Sequence, residues 1–199
     1  MRVPKHIGVI PDGNRRWAVG NGLSKEDGYF YGIQPGIDLL KRCIEYDVEE
    51  VSIYGYTVDN MKRSNKQSNA FKEACLEIVR LVSEFNCYLL ICGKTNSDHF
   101  PEDLKKYSER TKIGEGGIKI NILINYDWQY DLNHNISSEI SRMDLIIRWG
   151  GRRRLSGFLP RQSVYSDIYI LDKYWPDYED SDFTDSMEWY DKQDVTLGG

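Results

Sequence analysis

Asp12 is a carboxylate placed where a strand runs out. It sits in the run His6-Ile-Gly-Val-Ile-Pro-Asp12-Gly-Asn-Arg-Arg-Trp17, directly after the apolar residues Ile7, Val9 and Ile10 and between the breakers Pro11 and Gly13. Such a run reads as a short buried strand handing over to a helix. In an open parallel α/β sheet, ligands bind beyond the carboxyl ends of the strands. Asn14, Arg15 and Arg16 open the expected helix, whose free N–H groups and dipole favour an anion. One carboxylate able to hold a cation, beside two guanidiniums, suits a diphosphate with its metal. The plainer reading of the same residues is a helix cap with solvated arginines.

A second cluster, Arg148-Trp-Gly-Gly-Arg152-Arg153-Arg154-Leu-Ser156, follows the apolar run Met143 to Ile147. Guanidiniums bind phosphate oxygens bidentately, and Ser156 adds a hydroxyl donor. Gly150 and Gly151 let the backbone approach a ligand closely. A charge run is more often a solvated face. Here it stands at a strand end in a chain of net charge -5, which favours a built anion site. A diphosphate is the anion that fits, because Asp12 could hold Mg²⁺ against its oxygens.

These clusters need a scaffold. The spacing predicts a loop from Gly20 to Gly28, a helix over Gln34 to Tyr46, and a strand over Val51 to Tyr56 that ends in polar Thr57, Asp59, Asn60 and Arg63. Phe71, Ala74, Cys75, Ile78, Leu81, Val82 and Phe85 form one apolar helical stripe, which is core or one wall of an apolar ligand tunnel. Strands follow at Tyr88 to Cys92, Ile118 to Ile124 and Met143 to Ile147. An exposed helix is expected from Pro101 to Lys112, and a short acidic amphipathic helix around Phe183 to Tyr190. Strands alternating with helices give the α/β class with a central, largely parallel sheet flanked by helices.

Composition narrows the function. A chain of 199 residues, 40% hydrophobic and 29% charged, is expected to form one domain, 1–199, with a full core. The acidic balance argues against generic nucleic-acid binding. No apolar run reaches a membrane span and no signal-like stretch opens the chain, so a cytoplasmic protein is expected, still able to touch a membrane surface peripherally. Cys43, Cys75, Cys87 and Cys92 lack metal-ligand spacing and read as buried free thiols, and His6, His99 and His134 are scattered, so no zinc site is expected.

Five ordered motifs together resemble the cis-prenyltransferases, the undecaprenyl diphosphate synthase family. They are His6 to Ala18, Tyr54 to Arg63, Asp144 to Phe158, Gln162 to Tyr169 and Tyr174 to Asp177. The resemblance implies a homodimer with a parallel sheet, an apolar tunnel between sheet and helices, and Mg²⁺-dependent condensation of isopentenyl diphosphate with an allylic prenyl diphosphate. By matching position, Asp12 would engage the diphosphate and its metal. Asn60 would lie near the reacting carbons, and Asn14 and Arg16 would support the allylic diphosphate. Arg148, Arg154 and Ser156 would clamp isopentenyl diphosphate. Asp167 stands where the family usually has a metal-assisting Glu. Gly13, Arg15, Trp17, Lys25, Tyr29, Thr57 and Arg63 complete the implied substrate-binding set.

The departures from the family pattern touch the donor side more than Asp12. Arg15 replaces the usual Gly, Tyr29 a common His, Lys25 an Arg, Met61 a Trp, and Arg152 an acid. The C-terminal Arg-x-Gly appears as Thr196-Leu-Gly198, and the segment from Tyr126 to Met143 is shorter than usual. An Arg-Arg-Trp first signature also occurs in relatives that couple prenyl groups irregularly or use other acceptors. Irregular coupling of allylic diphosphates, a non-catalytic prenyl-diphosphate-binding subunit, and a hydrolase or terpene-forming enzyme are therefore the alternatives to regular cis elongation.

Overall fold

The computed structural model describes residues 1–194; the Thr196-Leu-Gly198 tail lies outside the described residues. In chain order, the elements begin with β1 (His6–Ile10), α1 (Asn14–Gly20), α2 (Gly28–Tyr31), α3 (Ile33–Glu45) and β2 (Glu50–Thr57). Then come α4 (Asn65–Val82), β3 (Cys87–Cys92), β4 (Thr111–Ile113), β5 (Ile118–Tyr126) and α5 (Trp128–His134). The chain closes with β6 (Leu145–Arg148), β7 (Asp167–Ile170) and α6 (Asp180–Asp191). The seven strands form one sheet in the order β4-β3-β5-β2-β1-β6-β7, parallel throughout except for the antiparallel β3–β4 edge pair.

All five residues of β1 are buried, as expected of a central parallel strand covered on both faces. Alternate residues feed opposite layers. Ile7 and Val9 join α3, α4 and α6 in the larger core through Leu39, Leu40, Val79, Phe183 and Met187. Ile10 joins the smaller core with Tyr126, Met143, Ile146, Phe158 and Leu159. That second layer carries little helix. Its cover is held instead by buried Asp131, which accepts from Tyr126 Oη at 2.6 Å and from the Ser137 N–H at 2.9 Å.

Helix α4 is capped by Ser64, whose hydroxyl accepts from the Gln67 N–H, and it ends at Val82, so Phe85 lies past it in a turn. Pro101 to Lys112 is not a helix. A 3-10 turn, Glu102–Tyr107, buries only Leu104, and the β-branched Thr111 and Ile113 then pair with β3. The loop expected from Gly20 to Gly28 is residues 21–27, with Gly20 ending α1 and Gly28 starting the single helical turn of α2. Between Tyr126 and Met143 the helix α5 has only seven residues. It starts at the Asp127 cap and stops at Asn135 in the left-handed region.

The four cysteines are free and buried. Burial pushes every thiol pKa up, Cys87 to about 11 and Cys75 to about 12. At the amino end of the sheet His6, Ser52, Asn121 and Glu50 form a buried polar group in which Asn121 Oδ1 is left without a partner. His6 Nε2 lies 2.8 Å from Ser52 Oγ, and Asn121 Nδ2 donates to Glu50 Oε1 at 2.7 Å. Ser141 Oγ donates to the other Glu50 oxygen at 2.7 Å, and Arg110 stands 3.8 Å from the carboxylate.

Candidate active site

Sheet register assembles the site. Ile10 pairs with Arg148, so the ends of β1 and β6 lie side by side and Asp12 emerges next to the Arg148 guanidinium. Arg148 Nη2 donates to Asp12 Oδ2 at 3.0 Å, although Arg148 is only 3% exposed. Its Nη1 donates to the Arg154 carbonyl and, at 3.4 Å, to Ser156 Oγ, while Nε is buried without a partner. Across the carboxylate, Arg16 Nη2 approaches Asp12 Oδ1 at 3.3 Å and Nη1 donates to the Gly150 carbonyl at 3.0 Å. Two glycines make this approach possible. Gly13 turns at φ +109 with the Tyr174 ring against it. Gly150 turns at φ +86 where a Cβ would meet Arg16 Nη2 at 2.6 Å.

The other wall comes from the end of β2, the turn beyond it and α2. Asn60 Oδ1 accepts from the Thr57 N–H at 3.0 Å, which fixes the turn after the strand. Arg63 Nη1 donates to Tyr29 Oη at 3.0 Å. Burial lowers the Arg63 pKa, and Arg15 nearby lowers it further, against the opposing pull of Tyr29 and Asp12. Such a desolvated cation gains from an anionic ligand. Arg15 Nη1 donates to Gln67 Oε1 at 3.3 Å, and Asn14 Nδ2 donates to the Pro11 carbonyl at 3.0 Å.

These residues surround a cavity of about 930 Å³. Asp12, Gly13, Asn14, Arg15, Arg16, Lys25, Tyr29, Thr57, Asn60, Arg63, Arg148, Arg154 and Ser156 all line it. Seven cationic side chains (Arg15, Arg16, Lys25, Arg63, Arg148, Arg152, Arg154) face two carboxylates, Asp12 and Asp59. In a chain of net charge -5, that surplus is a local design for an anion.

Two expected site residues are not brought in. Trp17 turns away, donating Nε1 to Asp177 Oδ1 at 2.6 Å and packing on Tyr31 at 4.7 Å. Asp167 starts β7 opposite Leu145, three strand positions before the Ile170–Arg148 pair, which is about 10 Å toward the other end of the sheet. Within one chain the structure does not join it to Asp12. Tyr54 and Trp175 are the contributors that residue chemistry alone missed. Tyr54 Oη donates to the Ser156 carbonyl at 2.8 Å, and the Trp175 N–H donates to the Asp12 carbonyl at 3.0 Å. Both lie within the five ordered motifs, which was the available signal.

The apolar stripe of α4 divides. Phe71, Ala74, Cys75 and Ile78 line the cavity with Ile33, Gly36 and Leu39 of α3 and Ile53 and Ile122 of the sheet, whereas Val79 and Val82 are core. The site is thus a cationic mouth leading into an apolar interior.

The sequence profile of the undecaprenyl diphosphate synthase prenyltransferases matches residues 10–140 and 129–198. The chain belongs to this family. The two matched stretches overlap within the shortened Tyr126–Met143 segment. Among relatives of this prenyltransferase, a ditrans,polycis-undecaprenyl-diphosphate synthase of Buchnera aphidicola, (2E,6E)-farnesyl-diphosphate specific, is 27% identical, covering 98% of this chain and 91% of its own. A tritrans,polycis-undecaprenyl-diphosphate synthase of Archaeoglobus fulgidus, geranylgeranyl-diphosphate specific, is 28% identical over 90% of this chain and 86% of its own. In fold, the chain matches lavandulyl diphosphate synthase from Lavandula x intermedia, solved with dimethylallyl diphosphate, at a TM-score of 0.81 with 19% identity and 98% of both chains covered. A probable undecaprenyl diphosphate synthase from Campylobacter jejuni matches at 0.77 with 18% identity and 100% of both chains covered.

Proposed function

We propose that this protein condenses isopentenyl diphosphate with an allylic prenyl diphosphate to give a cis prenyl diphosphate, with Mg²⁺. The observation that carries the reading is Asp12 held between Arg16 and Arg148 at the mouth of an apolar pocket. Breaking the allylic carbon–oxygen bond sends the electron pair to the departing diphosphate. Guanidiniums already aimed at that place stabilise the charge as it develops, more than they stabilise the ground state. The isopentenyl double bond then bonds to the freed allylic carbon, and a proton passes from the neighbouring carbon to the released diphosphate or to water, leaving the new double bond. Arg148, Arg154 and Ser156 would bind one diphosphate. Arg16, Arg63 and Lys25 would bind the other, with Asn60 near the reacting carbons.

The donor set fits Mg²⁺. Among the described residues no group of three His, Cys, Asp or Glu gathers as an all-protein cage. Mg²⁺ is commonly held by one or two carboxylates plus substrate phosphates and water, which is what Asp12 at this mouth offers. When bound, the ion supplies charge neutralisation to the diphosphate oxygens.

Arg15 and Arg152, both lining the pocket, favour a second reading, the coupling of two allylic diphosphates, because they add charge where the family pattern has a glycine and an acid. A homodimer is also proposed. Val164, Tyr165 and Ile168 leave an exposed apolar strip at the β7 edge, and light scattering would read the mass. The deciding experiment for function is mass spectrometry of products made with Mg²⁺, labelled isopentenyl diphosphate and an allylic diphosphate, beside the allylic substrate alone. Growth in five-carbon steps only with isopentenyl diphosphate supports condensation. Product from allylic substrate alone supports the second reading, and no product from any mixture overturns both.

A further inference from the structure

The geometry points to a short, closed hydrocarbon slot, with room for about two to three prenyl units and with Ile78 as the residue that sets its length. The inference rests on the prenyl diphosphate reading and names the size of the group that site accepts. Where the charge ends is marked by Phe71: the Arg63 guanidinium lies 5.6 Å from its ring and Tyr29 stacks on it at 4.5 Å. From there inward α4 offers the cavity only Ala74, Cys75 and Ile78. Phe71 to Ile78 is two turns of helix, about 10 Å at 1.5 Å per residue. An extended prenyl unit, four carbon–carbon bonds, spans roughly 4–5 Å.

The floor is closed by the approach of two helices. A Cβ on Gly36 would stand 2.7 Å from Ile78 Cδ1, so the Ile78 side chain lies directly over the backbone of α3. Past that contact Leu40, Cys43, Val79 and Val82 pack into the core and do not line the cavity.

The test is calorimetric titration of the full chain, with Mg²⁺ and without isopentenyl diphosphate, using dimethylallyl, geranyl, farnesyl and geranylgeranyl diphosphates. Affinity is expected to tighten as far as geranyl or farnesyl diphosphate and then to weaken about tenfold for geranylgeranyl diphosphate, the scale of an overpacking clash. Ile78→Ala is expected to move the optimum to a longer chain, and Ala74→Leu to a shorter one. The wild-type ladder stands as a test if either variant fails to fold. Affinity that rises through geranylgeranyl diphosphate, or an optimum unmoved in both folded variants, overturns the slot. If elongation occurs with chain-length-independent binding, the slot alone is wrong. If none of the four binds, the functional reading falls with it.

Discussion

Both ends of the β1 region carry ionisable groups, and the two ends are built on opposite plans. At the amino end His6, Glu50 and Asn121 are at most 3% exposed and bond to one another, to Ser52 and to Ser141. At the carboxyl end Asp12 is open to the cavity and outnumbered by cations. A polar group whose charges are matched within the chain stabilises and positions; one left with surplus charge is waiting for something outside the chain. Function and stability are thus separated along a single five-residue strand.

The largest break expected is Asp12→Asn. It keeps the side chain's shape and an acceptor for Arg148 but removes the charge, so kcat/KM should fall about a thousandfold while Tm moves by only a few degrees. Steady-state kinetics beside a melting curve reads both, and near-normal turnover would sink the role given to the carboxylate. Arg148→Lys comes next. An ammonium cannot span Asp12, the Arg154 carbonyl and Ser156 as the fork does, and a loss of about a hundredfold in kcat/KM is expected.

Arg15→Gly should alter the product profile or the preferred donor, with little effect on folding, because its side-chain hydrogen bond to Gln67 is long, at 3.3 Å. An unchanged profile by mass spectrometry would mean that Arg15 is only a solvated arginine. The smallest effect belongs to the amino end. Burial lowers the His6 pKa from 6.5, against the opposing pull of Glu50, the Ser141 and Arg142 backbone, and Asp144. For Glu50, burial acts upward but is outweighed by His6, Ser141, Asn121 and Arg110, leaving its pKa lowered. The unfolded chain therefore takes up the imidazole proton first, and stability should decline as pH falls through about 6.5 and level off below the folded-state value. The expected readout is a Tm lower by a few degrees at pH 5.5 than at 7.5, with His6→Gln flattening the difference. A slope unchanged by that substitution would remove His6 from the account.

The mouth of the pocket was legible in the sequence because local signals fix it. Apolar residues followed by Pro11, Asp12 and Gly13 announce a strand end, and four arginines after Ile147 announce another. That these two ends lie side by side follows from sheet register, which neither the spacing nor the motifs state. Trp17 and Asp167 show the limit of transfer by motif: each sits in the right stretch, yet Asp177 and the β7 register take them elsewhere. The floor was not legible. Phe71, Ala74, Cys75, Ile78 and Val82 form one uniform stripe, and only the contact of Ile78 with Gly36 decides where lining ends and core begins. The short strands β4 and β7 and the helix α5 carry too few periodic residues to be seen, being three, four and seven residues long.

The four free thiols give the molecule a built-in clock. Cys43, Cys87 and Cys92 lie in core away from the cavity, while Cys75 lines it, and all four are buried. An alkylating reagent under native conditions can therefore reach three of them only when the core opens, but it can reach Cys75 through a smaller parting of α3 from α4. The rate at Cys75 measures breathing of the pocket, and its slowing by a prenyl diphosphate measures occupancy without any need for turnover.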